Sequence, residues 1–166
     1  MAERAVVRPV RPSEHQAVAD LTVSVYSEAM GGSLSPAYRA RLADVASRAR
    51  EAVVLVAVDR DERLLGSITY VPGPASGYAE FSAPDEAGVR MLVVAPEAQR
   101  QGVGTRLVQA CADRARAEGR ARISLHTTEA LTGARRLYEH LGFRRAPERD
   151  RTPEPGVYLL GYLLEL

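Results

Sequence analysis

The segment Gln99-Arg100-Gln101-Gly102-Val103-Gly104-Thr105 directly follows the apolar run Met91-Leu92-Val93-Val94 and its Ala95-Pro96 stop. Glycines at such a turn let the backbone approach a ligand closely, and a helix that starts there offers free N–H groups and a partial positive charge. The chemistry this spacing suits is the holding of a pyrophosphate. A Gly-x-Gly pair also occurs in simple turns, so the neighbouring residues must discriminate. A Walker loop needs Lys before Ser or Thr after its last glycine, and Gly104-Thr105 lacks it. A dinucleotide fingerprint needs glycine or alanine where Leu107 stands. About thirty residues on, Leu137-Tyr138-Glu139-His140-Leu141-Gly142-Phe143 reads as a helix end with a tyrosine on its apolar face and a glycine cap.

In this order the two segments resemble the GNAT superfamily of acetyl-CoA-dependent N-acetyltransferases. That family's first signature is Gln or Arg, two residues, Gly, one residue, then Gly or Ala. Gln99 to Gly104 match it in full. Its second signature, Leu-Tyr-x-x-Leu-Gly-Phe, stands complete at 137–143. The resemblance implies an α/β fold with a mixed, mostly antiparallel central sheet flanked by helices. It implies transfer of an acetyl group from acetyl-CoA to a primary amine by direct attack, with no metal. Leu92, Val93 and Val94 would offer backbone hydrogen bonds to pantetheine. Gln99, Arg100, Gln101, Gly102, Val103, Gly104 and Thr105 would cradle the pyrophosphate, and a side chain added at Gly104 would obstruct it. Tyr138 would protonate the departing thiolate, and an N–H near Val93 or Val94 would stabilise the oxyanion. The family often carries Asn where this sequence has Leu131, so one polar cofactor contact is absent.

A base matters in proportion to the acceptor's basicity. Neutralising a lysine-like amine of pKa about 10.4 at pH 7 costs roughly 4 to 5 kcal/mol, against about 1.4 for an α-amine near 8. Two residues are candidates. His126 ends its strand where some N-terminal-amine acetyltransferases carry a catalytic glutamate, and Glu86 precedes the strand expected to line the cleft. The acceptor is an amine on a small molecule, or on a protein or peptide. Two rival functions keep part of the same pattern: a non-catalytic module that senses acyl-CoA, and a nucleotide-binding regulator.

The elements that must position these groups follow from periodicity. Residues 5–10 predict a strand, and Val18, Leu21 and Val25 predict a helix over 12–29, broken by Gly31-Gly32. Ser35-Pro36 start a second helix with the stripe Tyr38, Leu42, Val45 and Ala49. Strands follow at 53–58 and 64–70. Residues 71–87, with three prolines, read as a long loop near the acceptor side, with room for a short hairpin around Tyr78 to Phe81. Then come a strand at 89–94, a helix burying Val103, Leu107, Cys111 and Ala115, a strand at 121–126, the Tyr138 helix, a strand starting at Phe143, and a last one over 157–166. That tail is apolar on both faces, which suits either a central strand or a homodimer seam.

Composition sets the outer bounds. At 166 residues, 46% of them hydrophobic, the chain is expected to form one domain spanning 1–166 around one sizeable core. Its 22 basic and 21 acidic side chains nearly cancel, so no overall field favours nucleic acid or an anionic membrane. The lone Cys111 permits neither an intramolecular disulfide nor a cysteine zinc cluster. Met1-Ala2-Glu3-Arg4 leads into no apolar leader core, and no run reaches membrane-span length, so a cytoplasmic location is expected.

Overall fold

The computed structural model describes residues 5–166; the first four, read above for leader character, lie outside them. Alternating apolar residues build the sheet. β1 (Val6–Pro9) pairs with β2 (Val53–Val58), which turns into β3 (Leu64–Val71). Asp59 closes that turn by accepting from the N–H groups of Asp61 and Arg63 at 2.8 and 2.9 Å. β4 (Glu86–Val94), β5 (Arg122–Thr127), β6 (Arg144–Arg145), β7 (Arg151–Glu154) and β8 (Val157–Glu165) complete the order β1-β2-β3-β4-β5-β8-β6, with β7 also on β8. Every pairing is antiparallel except that of β4 with β5. This is the mixed, mostly antiparallel sheet that the resemblance implied.

Helices cover both faces, and strand alternation sorts the side chains between them. On one face Val54, Val56 and Val58 of β2 pack against Val18 and Ala19 of α1 (His15–Ala29) and Val45 of α3 (Val45–Glu51). On the other, Leu55 and Ala57 join Ile68, Ile123 and Leu125 under Leu107, Cys111 and Ala115 of α4 (Val103–Ala117) and Tyr138 of α5 (Thr132–His140). Among the described residues no helix is long and apolar enough to cross a membrane.

Four local expectations need correction. The second helix is two, α2 (Pro36–Ala43) and α3, because Asp44 leaves helical geometry and caps the N–H of Ser47 at 3.1 Å. Arg48 then donates to the carbonyls of Arg41 and Leu42 at the end of α2, both at 2.9 Å. No hairpin forms around Tyr78 to Phe81; the segment stays irregular, tied down by Ser76 Oγ on the carbonyl of Glu51 at 2.7 Å. β4 begins at Glu86 instead of 89, since Glu86, Ala87 and Gly88 carry the pairing with β5. A β7–β8 hairpin was not foreseen, and the apolar tail is an interior strand with β5 on one side and β6 and β7 on the other.

Candidate active site

The one parallel pairing is short. Glu86, Ala87 and Gly88 pair with Arg122, Ile123 and Ser124, and there the pairing stops. Beyond it β4 and β5 separate as a fork, so the β5-facing edge of residues 89–94 has no strand partner. On its other side β4 bulges: Thr69 faces Arg90 and Ser67 faces Val93, leaving Ile68 opposite Met91 and Leu92. Met91 takes up the extra residue at φ +54°, a conformation costly for a side-chain-bearing residue and typical of strands re-aimed beside a site. Leu92 and Val94 are consequently turned, half-buried, toward α4 and α5, while Val93 is buried.

β4 runs from the fork through a single helical turn, Pro96–Ala98, into the start of α4. Arg100 at φ +62° and Gly102 at φ +80° fold the backbone tightly there. Gln101 Nε2 donates to the Glu97 carbonyl at 3.1 Å, and Gln99 Nε2 lies 3.5 Å from the Val94 carbonyl, so both side chains brace the turn. Gly102 caps the helix, and the N–H groups of Val103, Gly104 and Thr105 fall in its unpaired first turn. A Cβ at Gly102 would meet nothing within 4 Å. A Cβ at Gly104 would lie 2.8 Å from Leu137 Cδ2 and 3.7 Å from Val94 Cγ2. Gly104 therefore serves the approach of α5 to α4, whereas Gly102 serves the turn itself.

Tyr138 lies on that face, buried against Phe143 and Tyr162 with ring centroids 5.5 and 6.5 Å away. Burial, with a smaller contribution from nearby Cys111, pushes its hydroxyl far above the ordinary tyrosine value, so it stays protonated. Burial pushes the Cys111 thiol up to about 12, which removes it as a nucleophile.

The two proposed bases are placed very differently. His126 stands on β5 at the fork, with Nε2 2.7 Å from the Arg149 carbonyl and Nδ1 2.9 Å from Glu80 Oε2. Both nitrogens face acceptors within the protein, so the ring is held by its neighbours on both sides. Glu86 sits at the closed end, fully buried, gripped by the two terminal guanidinium nitrogens of Arg149, Nη2 and Nη1, at 2.5 and 3.1 Å with Arg122 at 3.5 Å. That geometry makes it a clamp on the fork's closed end.

Sequence reasoning missed Glu80 and Arg90. A small cavity of about 10 Å³ at the fork is lined by Glu80, Phe81, Gly88, Arg90, Ser124 and His126 among others. Phe81 covers Gly88 so closely that a Cβ there would sit 2.7 Å from its ring. Burial pushes the Glu80 carboxyl up, but the His126 contact and the charges of Arg90 and Arg151 outweigh it and hold the pKa below the usual carboxylate range. Arg90 left a visible signal: it is the lone charge inside the apolar run 87–94. Glu80 left none, because its segment has no period. A larger surface hollow of about 690 Å³ beside α1 and α2 contains none of these groups.

The model of the acetyltransferase (GNAT) family matches residues 18–143. The chain belongs to that family. In sequence, 86 residues are 41% identical to the mycothiol acetyltransferase of Mycobacterium leprae, covering 51% of this chain. The chain aligns with only 26% of that longer protein. In structure, this GNAT chain is similar to a GNAT-family acetyltransferase from Staphylococcus aureus Mu50, with TM-score 0.78, 12% identity, and 97% and 98% of the two chains covered. A GCN5-related N-acetyltransferase from Kribbella flavida superimposes with TM-score 0.70, 24% identity and 98% of each chain covered. So does yncA of Salmonella typhimurium, solved with its cofactor acetyl-CoA, at TM-score 0.68, 16% identity, and 98% and 94% covered. These likenesses establish the fold.

Proposed function

We propose that this GNAT protein is an N-acetyltransferase that moves an acetyl group from acetyl-CoA directly to a primary amine. The observation that carries the reading is the fork at Gly88 and Ser124, which opens the edge of β4 and runs into the N-terminus of α4. The residues present fit the cosubstrate. Residues 92–94 supply unpaired main-chain groups for an amide-bearing arm, and the N–H groups of Val103, Gly104 and Thr105 suit a pyrophosphate. The space beside Gly102 leaves that approach clear.

In the reaction a neutral amine nitrogen attacks the thioester carbonyl. The C–N bond forms, the C–S bond breaks and the electron pair leaves on sulfur. An N–H near Val93 or Val94 stabilises the oxyanion, and the Tyr138 hydroxyl donates to the leaving sulfur. With His126 committed to two acceptors and Glu86 to Arg149, the amine's proton leaves by water at the mouth of the fork. The partial likeness to mycothiol acetyltransferase supports a small-molecule acceptor, and the lone reduced cysteine suits the cytoplasm.

Calorimetry with CoA tests the reading. Wild-type protein should bind CoA, and Gly102→Val should weaken it at least about tenfold, or 1.4 kcal/mol, because Val is strained at φ +80° and would project into the approach. Undiminished binding by a folded Gly102→Val would put the cosubstrate elsewhere. Binding without turnover of any amine would favour an acyl-CoA sensor.

A further inference from the structure

This inference rests on the reading of the fork as the cosubstrate's site and concerns the bank that faces residues 92–94. Among the described residues, five buried side-chain polar atoms lack a hydrogen-bond partner: Arg48 Nε, Glu80 Oε2, Arg120 Nε and the hydroxyls of Thr127 and Thr128. The first three belong to groups that are held through their other atoms or by charge. Arg48 and Arg120 donate from Nη1 to carbonyls at 2.7 to 2.9 Å, and Glu80 has Arg90, His126 and Arg151 within 3.5 Å. The two threonine hydroxyls have nothing, although each could both donate and accept. Leaving a buried hydroxyl unpaired is costly, so two in succession call for a common cause.

Their place in the sheet supplies it. β4 and β5 advance one for one, Glu86 on Arg122, Ala87 on Ile123 and Gly88 on Ser124. Carried past the point where the strands part, that count sets Met91 and Leu92 across the gap from Thr127 and Thr128. On its other edge β5 is occupied by β8, where Thr127 pairs with Leu160. Thr127, only 5% exposed, shares the parity of Ile123 and Leu125, so its side chain is turned to the face that α4 and α5 cover. Leu92, Val94 and Tyr138 pack on that same face. Thr128 begins the turn into α5, its carbonyl accepting from the Leu131 N–H at 3.2 Å. We propose that Thr127 and Thr128 form the second bank of the cosubstrate's site, their hydroxyls bonding the amide groups of its pantetheine arm while residues 92–94 serve it with main-chain groups from the first. A hydroxyl that both donates and accepts suits an amide, which offers one group of each kind.

The test is calorimetry on the full chain with CoA and with adenosine 3′-phosphate 5′-diphosphate, which keeps the pyrophosphate and lacks the arm. Thr127→Val and Thr128→Val remove the hydroxyls and keep the shape. Each should weaken CoA about three- to tenfold, and the double variant about ten- to a hundredfold, as the loss of one and of two hydrogen bonds should. Affinity for the armless nucleotide should not move. The melting temperature without ligand should hold or rise, because an apolar group of the same shape replaces an unpaired buried hydroxyl. Thr127→Ser, which keeps the hydroxyl, should bind CoA as wild type does. A double variant that binds CoA at wild-type affinity, or that loses CoA and nucleotide in equal proportion, overturns the inference while the cosubstrate reading stands. So does a wild-type protein that binds CoA no more tightly than the armless nucleotide. If wild type binds neither, the inference and the cosubstrate reading fall together. Should the double variant not fold, the two single variants are read by the same criterion.

Discussion

Tyr138 concentrates what a single residue contributes. Its ring is a core element, wedged between Phe143 and Tyr162, and only its hydroxyl has a proposed chemical duty. With its pKa pushed up by burial, that hydroxyl is a poor source of a fully transferred proton but a permanent hydrogen-bond donor to a sulfur gaining charge. A thiolate of pKa about 8.5 leaves tolerably without help. Tyr138→Phe should therefore lower kcat by roughly 10- to 1,000-fold without abolishing it. CoA affinity and melting temperature should stay near wild type, because the packing ring is kept. Stopped-flow rates under conditions where chemistry limits turnover check this, and a wild-type kcat would remove Tyr138 from the mechanism.

Among the elements, the fork depends on what closes it. β4 and β5 pair over three residues only, and at that end Arg149, from the turn before β7, clamps Glu86 on β4 while its carbonyl receives His126 of β5. Removing the Arg149 side chain leaves a fully buried carboxylate with Arg122 as its nearest cation at 3.5 Å. Arg149→Ala should destabilise the fold by about 3 kcal/mol, read by urea unfolding. Glu86→Gln should likewise cost stability while leaving the pH dependence of turnover intact; a lost alkaline or acidic limb in that variant would restore Glu86 as the base. The bulge at Met91 is the other device at this scale, since without its extra residue the alternation of 92–94 would point the opposite way.

At the scale of the molecule, ion pairs join parts distant in sequence. Arg8 on β1 binds Glu14 ahead of α1 at 2.6 Å and Glu62 in the β2–β3 turn at 2.6 Å. The Arg8 hydrogen bonds hold the Glu14 pKa down at about 2, against an ordinary 4.5, with burial opposing them and the Arg11 N–H assisting. Because the folded value is the lower, the stabilisation is fully present above the unfolded pKa and disappears as pH falls through about 4.5 toward 2. Glu14→Gln should melt a few degrees below wild type at pH 7, and the gap should close over that window in a thermal-melt series. A gap that persists at pH 2 would mean packing, not charge, is what Glu14 supplies.

The same scale divides what was legible in the sequence from what was not. The glycine turn at 99–105, the helix bearing Tyr138 and most of the strands are local patterns: period, cap and turn residues act over a few positions, so the sequence alone determined them. Glu80 and the β7–β8 hairpin were invisible for the complementary reason. An irregular loop has no period, and a contact such as Glu80 with His126, 46 positions apart, is set by the register of β4 on β5. Glu86 and His126 looked equivalent as strand-end residues, yet tertiary packing sent one to the closed end under Arg149 and the other to the open cavity beside Glu80. The apolar tail likewise read as a central strand or a seam until its edges found β5, β6 and β7. Local backbone preference chose the elements; only long-range pairing and the exclusion of water between them decided which side chains meet.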